Sequence, residues 1–157
     1  MISEMHRVGV CHRDIKLQNL VLDSEFNLKL IDFGMACDIS GQAGTGFSQE
    51  CLGTRNYMAP EIIGQVSYQP VLADLFALGV ILFIMHTGRE PFEQASKEDQ
   101  LYKLIMLNKF ELFWSVHENA MGAPLSSDFK DLMQNMLAFQ PYQRLNMVDV
   151  VVHPFLT

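Results

Sequence analysis

His12-Arg13-Asp14-Ile15-Lys16-Leu17-Gln18-Asn19 and Asp32-Phe33-Gly34 are separated by two short apolar runs, Leu20-Val21-Leu22 and Leu28-Lys29-Leu30-Ile31, with Asp23-Ser24-Glu25-Phe26-Asn27 between them. Short apolar runs around such a cluster read as two strands joined by a tight turn. Pairing those strands brings Asn19 and Asp32 side by side. A third segment, Gly53-Thr54-Arg55-Asn56-Tyr57-Met58-Ala59-Pro60-Glu61, closes the Gly-, Ser-, Thr- and Gln-rich residues 34–56. A long irregular loop in a compact domain is usually functional.

Outward from this centre the pattern becomes helical. Residues 1–8 read as the last turns of a helix ended at Gly9. Asp74 to His86 has no polar face, which indicates a buried core helix with Asp74 capping its start. Ser96 and Asp99 resemble a capping box ahead of Leu101, Leu104 and Ile105. Ser126 or Ser127 caps a stripe of Phe129, Leu132, Met133, Met136 and Leu137, and Asn146 caps a short helix through Val152.

Composition bounds the function. The 157 residues are 49% hydrophobic and 18% charged, with net charge −7. The charged share is below a typical value of about 25%, which excludes a disordered acidic tail. The acidic balance argues against a nucleic-acid partner. Cys11, Cys37 and Cys51 show no CxxC spacing, so a reducing, cytoplasmic setting is expected. The longest apolar run, Leu75 to Met85, is too short for a bilayer span, so no membrane partner is expected.

In order and spacing, HRDxKxxN at 12–19, DFG at 32–34 and APE at 59–61 resemble the C-terminal lobe of a eukaryotic protein kinase of the serine/threonine type. Gly88-Arg89-Glu90-Pro91-Phe92, Arg144 and His153-Pro154-Phe155 agree with it. The resemblance implies a mainly α fold over 1–157, a helical bundle with a short β-hairpin at the catalytic cleft, and an activation segment over 32–61. It implies transfer of the γ-phosphoryl of Mg·ATP to Ser/Thr hydroxyls of a protein substrate. Asp14 would accept or orient the hydroxyl proton and Lys16 would stabilise charge on the phosphoryl group. Asn19 and Asp32 would hold Mg²⁺, Val21 would floor the adenine, and Thr54 would position substrate beside Asp14 and Lys16. His12 and Phe33 would be packed supports, Asp74 would hold the catalytic-loop backbone, and Glu61 with Arg144 would form a buried ion pair.

The chain also departs from that family. No GxGxxG occurs, and the strand lysine, its glutamate partner and the hinge have no counterpart. The N-lobe is therefore expected to be absent, Met1 to be an internal start in a longer frame, and the chain alone to have little activity. The alternative is a catalytically inactive lobe serving as a protein-interaction module. A regulatory protein is a further expected partner. Leu17-Gln18 replaces the usual Pro-Glu, which removes a carboxylate that attracts basic peptides. Glu50 occupies the usual phosphosite position, where it would offer Arg13 a fixed carboxylate or else remain a solvated surface side chain. Thr45 and Ser48 are the candidate phosphosites. The face around Val21 and Phe33 is expected to be an exposed apolar patch.

Overall fold

The computed structural model describes residues 1–157. Helix α1 (Ile2–Arg7) leads into β1 (Val10–Cys11), then β2 (Leu20–Leu22), β3 (Leu28–Leu30) and β4 (Cys37–Asp38). The rest is helical: α2 (Pro60–Ile63), α3 (Pro70–Thr87), α4 (Gln100–Met106), α5 (Phe110–Met121), α6 (Ser127–Met136) and α7 (Met147–Val151). Strands β2 and β3 pair antiparallel with Leu20 opposite Leu30, as the apolar runs predict. Asp23 closes their turn by accepting the Glu25 and Asn27 amides, each at 2.9 Å.

Helix α3 is the axis of the core. Its Phe83 lies 5.7 Å from Phe129 and 4.8 Å from His117 between ring centroids, while Phe76 packs against Phe92 and Tyr102. The helix has 18 residues, long and apolar enough for a bilayer span, rather than the eleven-residue run read from sequence. More than half of it is buried within the protein, which fits a core helix.

Several local expectations change. Asp74 lies inside α3, not at its cap. The helix instead begins with Pro70 at its first position, where the missing N–H costs no hydrogen bond. Asp99, rather than Ser96, caps α4, taking the Leu101 and Tyr102 amides at 2.9 and 2.8 Å. Ser126 and Asn146 cap α6 and α7 as expected. Helix α5 has no counterpart in the sequence reading, and it buries Phe113, Trp114 and His117 against α3. The segment 34–56 is largely irregular, yet it contains β4, which pairs with β1.

Two contacts tie the helical part together. Arg144 forms a bidentate pair with Glu61 at 2.7 Å for both oxygens, and it also donates to the Ala138 and Leu72 carbonyls. Its guanidinium lies 4.8 Å above the Phe76 ring. At Gly79, α3 comes so close to α6 that an added Cβ would sit 2.9 Å from Met136 Cβ. Gly79→Val is therefore expected to destabilise the protein by about 1–3 kcal/mol. This would appear as a lower urea midpoint at unchanged slope, whereas an unchanged or raised midpoint would contradict the close approach.

Candidate active site

The loop between β1 and β2 is held from below by Asp74. Its Oδ2 accepts the His12 amide and its Oδ1 the Arg13 amide, each at 2.8 Å, and His6 Nε2 lies 2.9 Å from Oδ2. These bonds support a left-handed backbone at Arg13, with φ of 66°. Asp32 adopts a similar conformation at 63°. Such conformations cost free energy in a residue with a Cβ, and surrounding bonds must hold them.

With the loop held, Asp14, Lys16 and Thr54 close a triangle. Lys16 Nζ lies 2.7 Å from Asp14 Oδ2 and donates to Thr54 Oγ1 at 2.8 Å, and Thr54 Oγ1 donates to Asp14 Oδ1 at 2.8 Å. Burial works to raise the Asp14 pKa, but the Lys16 and Thr54 hydrogen bonds outweigh it, leaving the carboxyl below its ordinary value. Gly53 permits this approach: at φ of 116°, an added Cβ would sit 2.8 Å from the Arg13 carbonyl oxygen.

Asn19 donates its side-chain amide to the Asp14 carbonyl at 2.9 Å. Its side-chain oxygen accepts no hydrogen bond. The Ile31 amide reaches the Asn19 backbone carbonyl at 2.9 Å, so Ile31 stands across the hairpin from Asn19 and Asp32 follows it directly. Asp32 Oδ1 accepts only the Gly34 amide, at 3.3 Å, and Oδ2 has no partner. The carboxylate and amide oxygens suit a hard divalent cation such as Mg²⁺, which favours oxygen ligands. Phe33 lies edge-on to His12 with centroids 4.9 Å apart, and His12 Nε2 lies 3.0 Å from the Ile31 carbonyl. Val21 and Phe33 are exposed, as the sequence reading expects, and so are Leu22, Leu28 and Ile31.

Arg13 points to the loop that closes the site. It donates from Nε to the Met35 carbonyl at 2.6 Å and from Nη1 to Glu50 Oε2 at 2.5 Å. Tyr68, which sequence reasoning did not single out, donates its hydroxyl to the Glu50 carbonyl at 2.9 Å. Ser48 is a poor phosphosite in this arrangement because it is buried, bridged to Tyr68 and bonded to the Glu50 amide. Thr45 is exposed. His6 was also missed, although it is the polar residue beside the buried Ile2 and Met5 of α1.

The profile of the protein kinase domain matches residues 2–156. The chain belongs to the protein kinase domain family. It is 36% identical to the probable serine/threonine-protein kinase KCC4 and 34% to the serine/threonine-protein kinase GIN4, both of Saccharomyces cerevisiae, over 99% of the chain in each case. It is 40% identical, over 96% of the chain, to the probable cell cycle serine/threonine-protein kinase CDC5 homolog of Encephalitozoon cuniculi. The chain spans 14%, 13% and 30% of the lengths of these three relatives.

The Asp74 anchor predicts a local effect. Asp74→Asn keeps the side chain's size but leaves one of the two loop amides facing an NH₂ group. Exchange of the His12 and Arg13 amides is then expected to speed up about tenfold or more, because hydrogen bonds to a charged acceptor contribute about 1.5–3 kcal/mol. Hydrogen-exchange mass spectrometry over residues 8–17 reads this, and unchanged rates would refute the anchoring role.

Proposed function

We propose that this chain is the substrate- and cation-holding lobe of a protein serine/threonine kinase, which moves the γ-phosphoryl of Mg·ATP to a protein Ser or Thr hydroxyl when a glycine-rich lobe covers the cleft. The observation that carries this reading is the Asp14–Lys16–Thr54 triangle with Asn19 against it and the free oxygen of Asn19 and Oδ2 of Asp32 left for a cation. Bound Mg·ATP would supply the phosphoryl group and a cation that neutralises its charge. Asp14, ionised and held at both oxygens, orients the incoming hydroxyl and accepts its proton. Lys16 places positive charge beside the transferring group, and Thr54 keeps the two in register. Asn19 and Asp32 are the cation ligands, and Val21 is the floor under the adenine.

Exposed apolar side chains at the cleft favour a covering lobe, and no glycine-rich phosphate loop occurs within residues 1–157. The same face supports a second reading, in which the lobe alone serves as an interaction module. Calorimetry of the chain with Mg·ATP separates them: the covered-cleft reading expects weak but measurable binding that Asp32→Asn abolishes, and the module reading expects none. Three unpaired cysteines fit a cytosolic location, and a protein regulator is the remaining expected partner.

Arg13 and Glu50 extend the reading to control. The carboxylate stands where a phosphorylated residue would meet Arg13, with one charge instead of about −1.5 to −2. The loop would thus hold an ordered arrangement without modification. Glu50→Ala is expected to lower the activity of a complete enzyme and to raise protease sensitivity of residues 39–50. Unchanged activity and loop order would refute this.

For catalysis, the chain can be fused behind the small lobe of an active serine/threonine kinase. Asp14→Asn in that fusion is expected to lower kcat about 100-fold or more, the scale of a lost general base, with KM for ATP little changed. Because Asp14 is held below the ordinary carboxylate value of about 3.9, its ionised form persists to lower pH. The acid limb should therefore lie below that value and move upward in Lys16→Met. A fusion indifferent to Asp14→Asn would overturn the assignment.

A further inference from the structure

Cys11 and Cys37 stand directly opposite each other on the β1–β4 ladder. Opposed residues of an antiparallel pair project to the same face, with Cβ atoms about 4.5–5.5 Å apart. The Ile39 amide donates to the Gly9 carbonyl at 2.8 Å. Alternation along the ladder then makes Cys11 and Cys37 a hydrogen-bonded pair, whose Cα atoms lie about 5.5 Å apart. Disulfides span Cα distances of about 4.4–6.8 Å, which this pairing meets, and Cβ distances of about 3.5–4.5 Å, so the two short strands must draw slightly closer for the bond to form. Both are free thiols, Cys11 fully buried and Cys37 half-buried.

We propose that Cys11 and Cys37 are a reversible thiol–disulfide modification site, oxidised by a hydroperoxide that reaches Cys37 and resolved by Cys11. The two thiols have different surroundings. Burial raises the pKa of both and Asp74 adds to it at both, while the Arg13 cation works against it, more strongly placed among the influences on Cys37 than among those on Cys11. Cys37 is also the one that solvent reaches, so it is the first to react. Its sulfur attacks one peroxide oxygen, the O–O bond breaks, and the departing alkoxide takes the thiol proton. The product is a Cys37 sulfenic acid. Cys11 sulfur then attacks Cys37 sulfur, the S–O bond breaks, and hydroxide leaves as water with the Cys11 proton. Overall, two thiols lose two electrons and two protons, and the hydroperoxide becomes an alcohol and water. A His6 ring nitrogen and an Asp74 oxygen lie within 4.8 Å of the Cys11 sulfur, so a proton acceptor stands beside the resolving thiol.

The bond would close a ring around the whole hairpin unit, from the strand before Arg13 to the strand after Asp32. It would fasten the head of the activation segment to the catalytic loop, where a two-residue ladder holds it now. A transient, regulatory disulfide is the form expected in a reducing compartment.

The test is independent of kinase activity. The intact chain is treated with hydrogen peroxide, its remaining thiols are blocked, and peptides are mapped without reduction. The expected result is one cross-linked species joining the Cys11 and Cys37 peptides, with titratable thiols falling from three to one per chain and returning on addition of a dithiol. Cys51→Ser should leave the cross-link intact. Cys37→Ser, at a half-buried position that tolerates the change, should abolish it while leaving the fold unchanged by circular dichroism. Cross-links that run to Cys51, or Cys37 accumulating as sulfinic acid with Cys11 still free, would overturn the proposal.

Discussion

The Asp74 carboxylate is the constraint on which the site depends. A single buried side chain on the core helix takes the amides of His12 and Arg13 and meets His6. These bonds carry the position of the bundle into the loop between β1 and β2. Without them the left-handed turn at Arg13 would have no support, and Asp14 would lose its direction. Everything above the loop follows in sequence: Asn19 braces Asp14, Thr54 closes on it from the segment ahead of α2, and Arg13 is left free to reach Glu50. A buried carboxylate with satisfied hydrogen bonds is costly to lose, because the groups it served remain desolvated.

Charge is distributed around this anchor with little redundancy. Asp14 is balanced by Lys16, Glu50 by Arg13, and Glu61 by Arg144. The first two pairs face solvent in part, so each can exchange its partner for water. The third is closed off among apolar side chains and serves the fold. The contrast between movable and fixed pairs follows from burial rather than from residue type. An Arg–carboxylate pair occurs on both sides of the divide.

Much of this was legible in the sequence, and for physical reasons. The β2–β3 hairpin shows itself through two apolar runs around an Asp-led turn, and α6 through a stripe of Phe129, Leu132, Met133 and Met136 behind Ser126. Reading Asp74 as a helix cap failed because Pro70 had already started the helix, and a carboxylate four residues inside can serve another segment instead. Ser96 lost the α4 cap to Asp99, which stands one residue before the helix and binds its first amides. Helix α5 is hard to read from sequence because Leu112 and Val116 stand exposed between its buried Phe113, Trp114 and His117 and blur the stripe. The β1–β4 ladder escaped because two residues show no period, and only the fold puts Cys37 opposite Cys11. In the site, residue identities were readable from motif order, while the supporting roles of His6 and Tyr68 depend on contacts far apart in the chain.

The close approach at Gly79 has a consequence for dimensional tolerance. Asp74 and Gly79 lie on one rigid helix, separated along its axis by about 7.5 Å at 1.5 Å per residue. Gly79 leaves no slack between α3 and α6, so the helix cannot slide lengthwise without Met136 blocking it. The core thus fixes a reference plane, and Asp74 marks a set height above it. The placement of Asp14 is gauged from the middle of the bundle, so a substitution deep in the packing can misalign a carboxylate that it never touches.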